Sequence, residues 1–537
     1  MLEERSPQRF TPTLKSGVIT MSRVDRRQML QASAALTAAF WMAGKSWGIV
    51  RNNVHLIDNP FTLGVASGDP SADGFVLWTR LAPQPVTGGG MPQENVEVTW
   101  ELLSDDDKIN VLQSGKFVAT PEMAHSVHIE LNGLDSNRWY RYRFHAAGYT
   151  SPVGRTRTFP AADVMPEKMR MAFASCQHYE TGLYTAYQHM SKTDLDMVIH
   201  LGDYIYEGGI RKEGVRKHNG PEIITLEDYR NRHALYKTDP HLQATHAAFP
   251  WLVTWDDHEF DNNYADEISE EQGVDPQKFM QRRADAYKAY YENMPLRKMQ
   301  LPTGADMRLY RSIYFGKLAN LAVLDTRQYR TDQPNNDKQS DQVGDALRAD
   351  AEMLGKEQEQ WLQGELKSSH ATWNVLAQQV MMARVDRRPG EERGFSMDQW
   401  PGYEVPRRRL MSFLKDQKIA NPVVLTGDIH CNWVNDLKVD FDNEKDSVVA
   451  TEFVGTSISS GGDGVDKQET TDTMYSENPF VKFYNAQRGY VDCTVTPKGW
   501  TSVYKIVPFV TKPDAPLITR ASFVVEAGRP GANKITG

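Results

Sequence analysis

From residue 160 onward, short apolar runs recur along the chain, and most of them stop at an aspartate. They occupy 169–176, 195–203, 250–257, 318–325, 373–382 and 422–428. Stretches with helical periodicity, 279–292 and 346–367, lie between them. Strand-like runs that alternate with helices predict an α/β fold. In such sheets ligands gather outside the carboxyl ends of the strands, where these acids fall.

The region from 59 to 160 has a different texture. Residues 75–80, 96–101 and 126–131 read as short strands separated by turns. Within 134–144, Trp139, Tyr140, Tyr142 and Phe144 are interleaved with arginines at period two, as in the strand after a tyrosine corner of a fibronectin- or immunoglobulin-like sandwich. Sheet packing accounts for these aromatics, and no catalysis is assigned there. With 537 residues the chain exceeds one ordinary core. The expected organisation is a signal segment at 1–47, a β-sandwich at 55–160, a catalytic domain at 165–520 and a tail at 521–537.

The first segment carries adjacent arginines, Arg26 and Arg27, ahead of an alanine-rich apolar run at 29–43. That run is short for a bilayer span, and the arginine pair resembles a twin-arginine export signal. The twin-arginine translocation machinery is therefore an expected partner, and the periplasm or the exterior an expected location. A monomer is expected. Three cysteines cannot build a disulfide framework. The net charge of -9 argues against a nucleic-acid partner, but an anionic substrate remains compatible, because bound cations reverse the local sign.

The run ends supply Cys176, Gln177 and His178; then Asp203, Tyr204 and Tyr206; then Asp256, Asp257, His258, Glu259 and, shortly after, Asp261, Asn262 and Asn263; then Asp325, Arg327 and Tyr329; and finally Asp428 and His430. One aspartate at a strand end is an ordinary helix cap. A series of them in one cleft repels itself unless cations neutralise it, which predicts a polynuclear metal site. Carboxylates and Asn suit hard cations. A thiol and a phenol, with free pKa values near ~8.5 and ~10, bind only an ion strong enough to take their protons. A mixed centre is therefore expected, with iron on Cys176 and Tyr206, harder ions on the aspartates, and Asp203 bridging. Tyr204 is read as a packing residue, His178 as a loop residue, and Cys431 and Cys493 as inert core thiols.

The ordered motifs FASCQ (173–177), HLGDYIYE (200–207), WDDHE (255–259) with NNY (262–264), LDTRQYR (324–330) and LTGDIH (425–430) resemble the alkaline phosphatase D (PhoD) family over most of residues 59–520. The wider pattern is similar to calcineurin-like metallophosphoesterases, with Asp257 in place of the usual Asn and Cys176 where those enzymes have Asp-x-His. The resemblance implies a four-layer α-β-β-α core behind the sandwich, one Fe³⁺ and two Ca²⁺, and hydrolysis of phosphate mono- and diesters outside the cytoplasm. On that reading Cys176, Asp203 and Tyr206 hold iron, and Asp203, Asp256 or Asp257, Asn263 and Asp428 hold calcium. His258 neutralises charge or protonates the leaving oxygen, or else orients Asp257. His430 is a ligand or a phosphate contact. Arg282 or Arg283 grips a phosphate oxygen or lies on a solvated helix face. Asp325 and Arg327 are a ligand and a clamp, or a buried ion pair. The rival readings are a phosphodiesterase with two transition metals and a non-enzymatic calcium-binding surface module.

Overall fold

Three runs from the first half of the α/β region, Met169–Ala174, Met197–Leu201 and Pro250–Thr254, are parallel neighbours in one sheet. Four later ones, Ala319–Val323, Trp373–Ala377, Pro422–Thr426 and Ala450–Val454, are parallel neighbours in a second. All are almost wholly buried, as parallel strands covered on both faces must be. These details come from a computed structural model that describes residues 50–51, 56–388 and 390–535. The expected signal segment lies outside the described residues.

One long strand, Val481–Val495, joins the two sheets. Its first residues pair with Asn432–Leu437 in the second sheet, and its last with Met169–Ala174 in the first. Where it meets Gly499–Val507, a Cβ on Gly489 would lie 1.9 Å from the Lys505 carbonyl oxygen, so only glycine fits that approach. Phe173, Ile199, Leu201 and Leu252 of the first sheet pack against Leu321, Val375, Leu425 and Phe453 of the second. Helices Leu226–Lys237, Pro240–Ala248 and Pro276–Asn293 cover the outer face of the first sheet. Helices Gly355–Ser368 and Glu404–Asp416 cover that of the second. The order of layers is α-β-β-α. Pro276–Asn293 begins earlier than its periodicity suggests because Asp275 caps it, accepting from the backbone of Gln277 and Lys278. The later helix starts only at Gly355, itself at φ +67°.

Ahead of this core, Asn95–Ser104, Val111–Ala119, Trp139–Ala146 and Gly154–Arg157 form an antiparallel sheet. It faces Val65–Gly68, Phe75–Arg80 and Ser126–Leu131 across a core that includes Leu77, Ile129, Val98, Tyr142 and Phe144. Tyr140 donates its hydroxyl hydrogen bond back to the Asp135 carbonyl at 3.2 Å, the contact of a tyrosine corner. The sandwich is not a separate bead, however. Val65–Gly68 also pairs in parallel with Pro250–Thr254, so one of its sheets continues into the first sheet of the core. The segment expected as a tail differs too. Ile518–Glu526 and Arg529–Lys534 extend the same sheet from Gly499–Val507, because their alternating residues complete its core with Ala521, Phe523 and Val525.

Candidate metal centre

Tight turns follow the strand ends, and their backbones are unusual. Cys176, Asp203, Asn263, Asp428 and His430 all adopt the left-handed conformation, with φ between 49° and 67°. Gly202, at φ +107°, precedes Asp203, and a Cβ there would lie 2.4 Å from the Asp256 Cβ. Its absence lets the turns of Asp203 and Asp256 touch. The Cys176 and Gln177 amides donate to the carbonyls of Gly202 and Asp203 at 3.1 and 3.0 Å. Glu259, fully buried, accepts from the backbone amides of Asp203, Tyr204 and Asp256.

Three overlapping groups of donors result. Ligand atoms of Cys176, Asp203 and His430 lie within 4.8 Å of one another; so do those of Asp203, Asp257 and His258, and those of Asp256, Asp257 and Asp428. Tyr206 joins the first group. Its hydroxyl donates to Asp203 Oδ2 at 2.8 Å, lies 3.1 Å from His430 Nε2, and accepts from Ser460 at 2.7 Å. Asn263 stands at the rim of the others, with its backbone amide on Asp257 Oδ2 at 2.7 Å and its side-chain amide on Asp337.

The electrostatics are unbalanced. Arg327 bonds Asp256 through Nε, stands 2.9 Å from both Asp398 oxygens, and reaches Asp257 and Asp428 at 3.4 Å. Arg330 shares Asp398 at 2.7 Å. Two guanidiniums thus serve four carboxylates, and Asp203 is a fifth that neither of them reaches. Burial, and then the neighbouring acids, push Asp203 and Asp256 well above the carboxylate range; burial takes Asp428 up to about 6. Burial works against Asp257 as well, but Arg327 and His258 hold it below its usual value. Cys176 and Tyr206 are pushed up by burial and by Asp203. Despite burial, the His258 imidazolium is held well above its usual value by Glu207, 2.7 Å from Nδ1, and by Asp203 and Asp257; burial takes His430 down to about 3. Asp203 Oδ1, Asp256 Oδ2 and Asp257 Oδ1 are buried and accept no hydrogen bond. A thiol, a phenol, two imidazoles and these orphaned oxygens are a donor set suited to a softer, strongly acidic ion beside harder ones.

Cys176, Asp203, Tyr206, Asp256, Asp257, His258, Asp428 and His430 therefore converge, with Asn263 at their edge. Arg283 does not join them. Its Nε and Nη1 donate to the carbonyls of Ala305 and Asp266 at 2.9 Å, and it also meets the Asp266 and Asp306 carboxylates and the Tyr287 ring. It closes loops at the back of its helix, and the expected phosphate contact is corrected accordingly. Arg282 binds Asp261, Glu222 and the Tyr229 hydroxyl. Asp325 caps its own turn, accepting from the Arg327 and Gln328 amides, and the Arg327 guanidinium pairs with Asp256, Asp257, Asp398 and Asp428 rather than with Asp325. Sequence reading passed over Asp398, Gln399, Glu207, Ser460 and Asp337. Gln399 donates to Asp428 Oδ2 at 2.9 Å. Ser460 stands in the glycine-rich 458–465 loop and Glu207 closes the HLGDYIYE motif, the two visible hints among them.

The profile of the PhoD-like phosphatase family matches residues 171–504, and that of the PhoD-like phosphatase N-terminal domain matches residues 49–160. Alkaline phosphatase D of Bacillus subtilis (strain 168) is 50% identical over 533 residues, which span 97% of this chain and 91% of the relative. A solved structure titled "Structure of PhoD" is 51% identical and superposes with a TM-score of 0.88, covering 90% of this chain and 94% of that one. The acid-lined turns of this α-β-β-α core are thus those of a phosphoester hydrolase, and the chain belongs to the alkaline phosphatase D, or PhoD-like phosphatase, family.

Proposed function

We propose that this chain is an exported, metal-dependent phosphatase that hydrolyses phosphate monoesters and diesters, with one Fe³⁺ on Cys176, Asp203 and Tyr206. Two Ca²⁺ are assigned to Asp203, Asp256, Asp257, Asn263 and Asp428. The observation that carries this reading is the excess of buried carboxylates over guanidiniums, with orphaned oxygens on Asp203 and Asp256 and an Asp257 oxygen that has no hydrogen bond and only Arg327, at 3.4 Å, beside it. Without cations, Asp203 and Asp256 would have to stay protonated against their own turns, while Asp257 leans on Arg327 and His258. Bound ions supply Lewis-acid polarisation of the phosphoryl group and activation of water.

The chain's own residues do the rest. Glu207 accepts the Nδ1–H hydrogen bond of the His258 imidazolium, which leaves Nε2–H to protonate the departing oxygen. Arg327, buried beneath Asp256, Asp257 and Asp428, fixes their orientation rather than touching substrate. Arg488 holds the His430 carbonyl and the glycine-rich loop carbonyls of Gly461 and Gly462, so His430 and Ser460 stay against Tyr206. Export through the twin-arginine machinery to the periplasm or exterior rests on Arg26, Arg27 and the 29–43 run. Filling the site before export would also shield the Cys176 thiolate from oxidation. The chain is taken to act as a monomer.

The test is Tyr206→Phe. The wild type should absorb visible light through a phenolate-to-iron band and contain one iron and two calcium ions per chain. The variant should lose the band and the iron, and with them phosphate release from p-nitrophenyl phosphate and its bis ester. A colourless, active wild type that holds zinc or manganese and no calcium would establish the two-transition-metal alternative instead.

A further inference from the structure

A pocket of about 220 Å³ is walled in part by the residues that flank His430. Ile429 and Cys431, the neighbours of His430 on either side, form its inner wall. Trp433, Met474 and Tyr484 form its apolar half, with the Trp433 and Tyr484 rings 4.6 Å apart edge to face, and Gln468, Thr470 and Thr471 form a polar half. No carboxylate lines it.

Arg387 stands exposed at its rim. Its guanidinium donates one hydrogen bond, to Gln399 Oε1 at 3.2 Å, and makes no ion pair among the described residues. Gln399 in turn donates to Asp428 Oδ2 at 2.9 Å, so Arg387 is one side chain away from the centre. The other arginines nearby are spent: Arg327 and Arg330 on carboxylates, Arg488 on backbone carbonyls. On a chain with net charge -9, a guanidinium without an ion pair over a pocket that has an aromatic wall and no carboxylate is a selective feature.

We propose that this pocket receives the leaving alcohol of the substrate, and that Arg387 selects alcohols that carry a negative charge of their own. The inference rests on the phosphoester hydrolysis proposed above and adds the class of leaving group. A cavity of roughly 150 Å³ accepts benzene, so this one holds a six-membered ring or a short polyol with one substituent. With phosphorus at the metal centre, such a group lies along Ile429 between the aromatic walls. Its anionic substituent then meets Arg387, whose planar fork suits a carboxylate or phosphate.

The test uses a pair matched in size: 3-carboxyphenyl phosphate and its methyl ester. Phosphate release by the metal-loaded enzyme is followed. The methyl ester has the better leaving group, so a preference for the carboxylate runs against intrinsic reactivity. The wild type should favour the carboxylate at least fivefold in kcat/KM. Arg387→Ala should bring the ratio to within twofold of unity, and Arg387→Lys should keep part of the preference. A wild-type ratio near unity overturns the inference. So does an Arg387→Ala enzyme that loses activity equally on both esters, since that assigns Arg387 to steadying Gln399. Hydrolysis of both esters without preference overturns the subsite alone, whereas a wild type that hydrolyses no phosphate ester overturns the activity beneath it.

Discussion

Replacing Glu259 by glutamine should loosen the centre without touching a ligand. The Glu259 carboxylate ties together the two turns that carry Asp203 and Asp256. Oε2 accepts from the Asp203 amide at 3.0 Å and the Asp256 amide at 2.8 Å, and Oε1 accepts from the Tyr204 amide. Glutamine has the same shape but one acceptor. In its better orientation the amide nitrogen faces the Tyr204 N–H, donor against donor. That forfeits one charge-assisted hydrogen bond, about 1.5–3 kcal/mol, and strands a buried N–H, so a loss near ~3 kcal/mol is expected. At ~2.1 cal/mol/K per residue, the unfolding entropy of a chain this long is about 1 kcal/mol/K, so Tm falls by about 3 °C if the whole loss appears as stability. If it appears as ion binding instead, affinity falls about a hundredfold, at ~1.4 kcal/mol per tenfold. Burial pushes the Glu259 carboxyl up to about 8, so the comparison belongs near pH ~9, where the carboxylate prevails. Calorimetry of the metal-stripped and metal-loaded proteins, with elemental analysis of both, divides the loss between the two channels. An unchanged Tm in the stripped variant, together with full metal content in the loaded one, refutes the role given to Glu259.

Two further outcomes follow from the same geometry. Chelation should lower Tm by an amount that grows with pH: Asp203 and Asp256 are raised by burial and Asp428 reaches about 6. Their contribution to the stripped protein is complete below the unfolded value of ~3.9 and is lost as pH rises through the folded values, whereas cations favour the carboxylates; thermal melts across that range with and without chelator would contradict this if the gap narrowed. Arg283→Met should destabilise the protein by roughly 1–3 kcal/mol through the stranded Ala305 and Asp266 carbonyls. Its kcat/KM on p-nitrophenyl phosphate should stay within twofold of wild type, and a hundredfold fall at unchanged Tm would return Arg283 to the phosphate.

What the sequence disclosed follows from which interactions are local. Parallel strands buried on both faces read as unbroken apolar runs, so Met197–Leu201 and Pro422–Thr426 stand out, with their acids just beyond. The pairing of Val65–Gly68 with Pro250–Thr254, and the shared strand Val481–Val495, depend on partners far away in the chain and leave no local pattern. Asp398 escaped for a related reason. It sits in irregular chain just before the Trp400–Tyr403 turn, not at a strand end, and only the fold brings it to Arg327 and Arg330. Arg283 misled because a helix residue near candidate acids can face either side of its helix, and the backbone carbonyls that claim it cannot be read from residue types.

The left-handed turns explain why a mixed donor set appears at these positions. A non-glycine residue in that conformation is disfavoured by about 1–2 kcal/mol, less for Asn and Asp, whose short side chains tolerate it. In exchange, the turn folds the chain sharply back at the strand end, so that donors from separate strands can meet within 4.8 Å. Asp203, Asn263 and Asp428 satisfy the backbone and supply an oxygen at once. Glycine would suit the backbone and supply nothing. Cys176 and His430 share it, at φ 58° and 54°; histidine tolerates it as Asn and Asp do and cysteine less well, so conformation cannot be what selects the thiol. Their sulfur and nitrogen must supply what an aspartate there would not. Both stand in the group that contains Asp203 and adjoins Tyr206, the softer end of the centre, and neither belongs to the Asp256, Asp257 and Asp428 group. Donor chemistry, not backbone conformation, therefore separates the Cys176 and His430 end of the pocket from its all-carboxylate end.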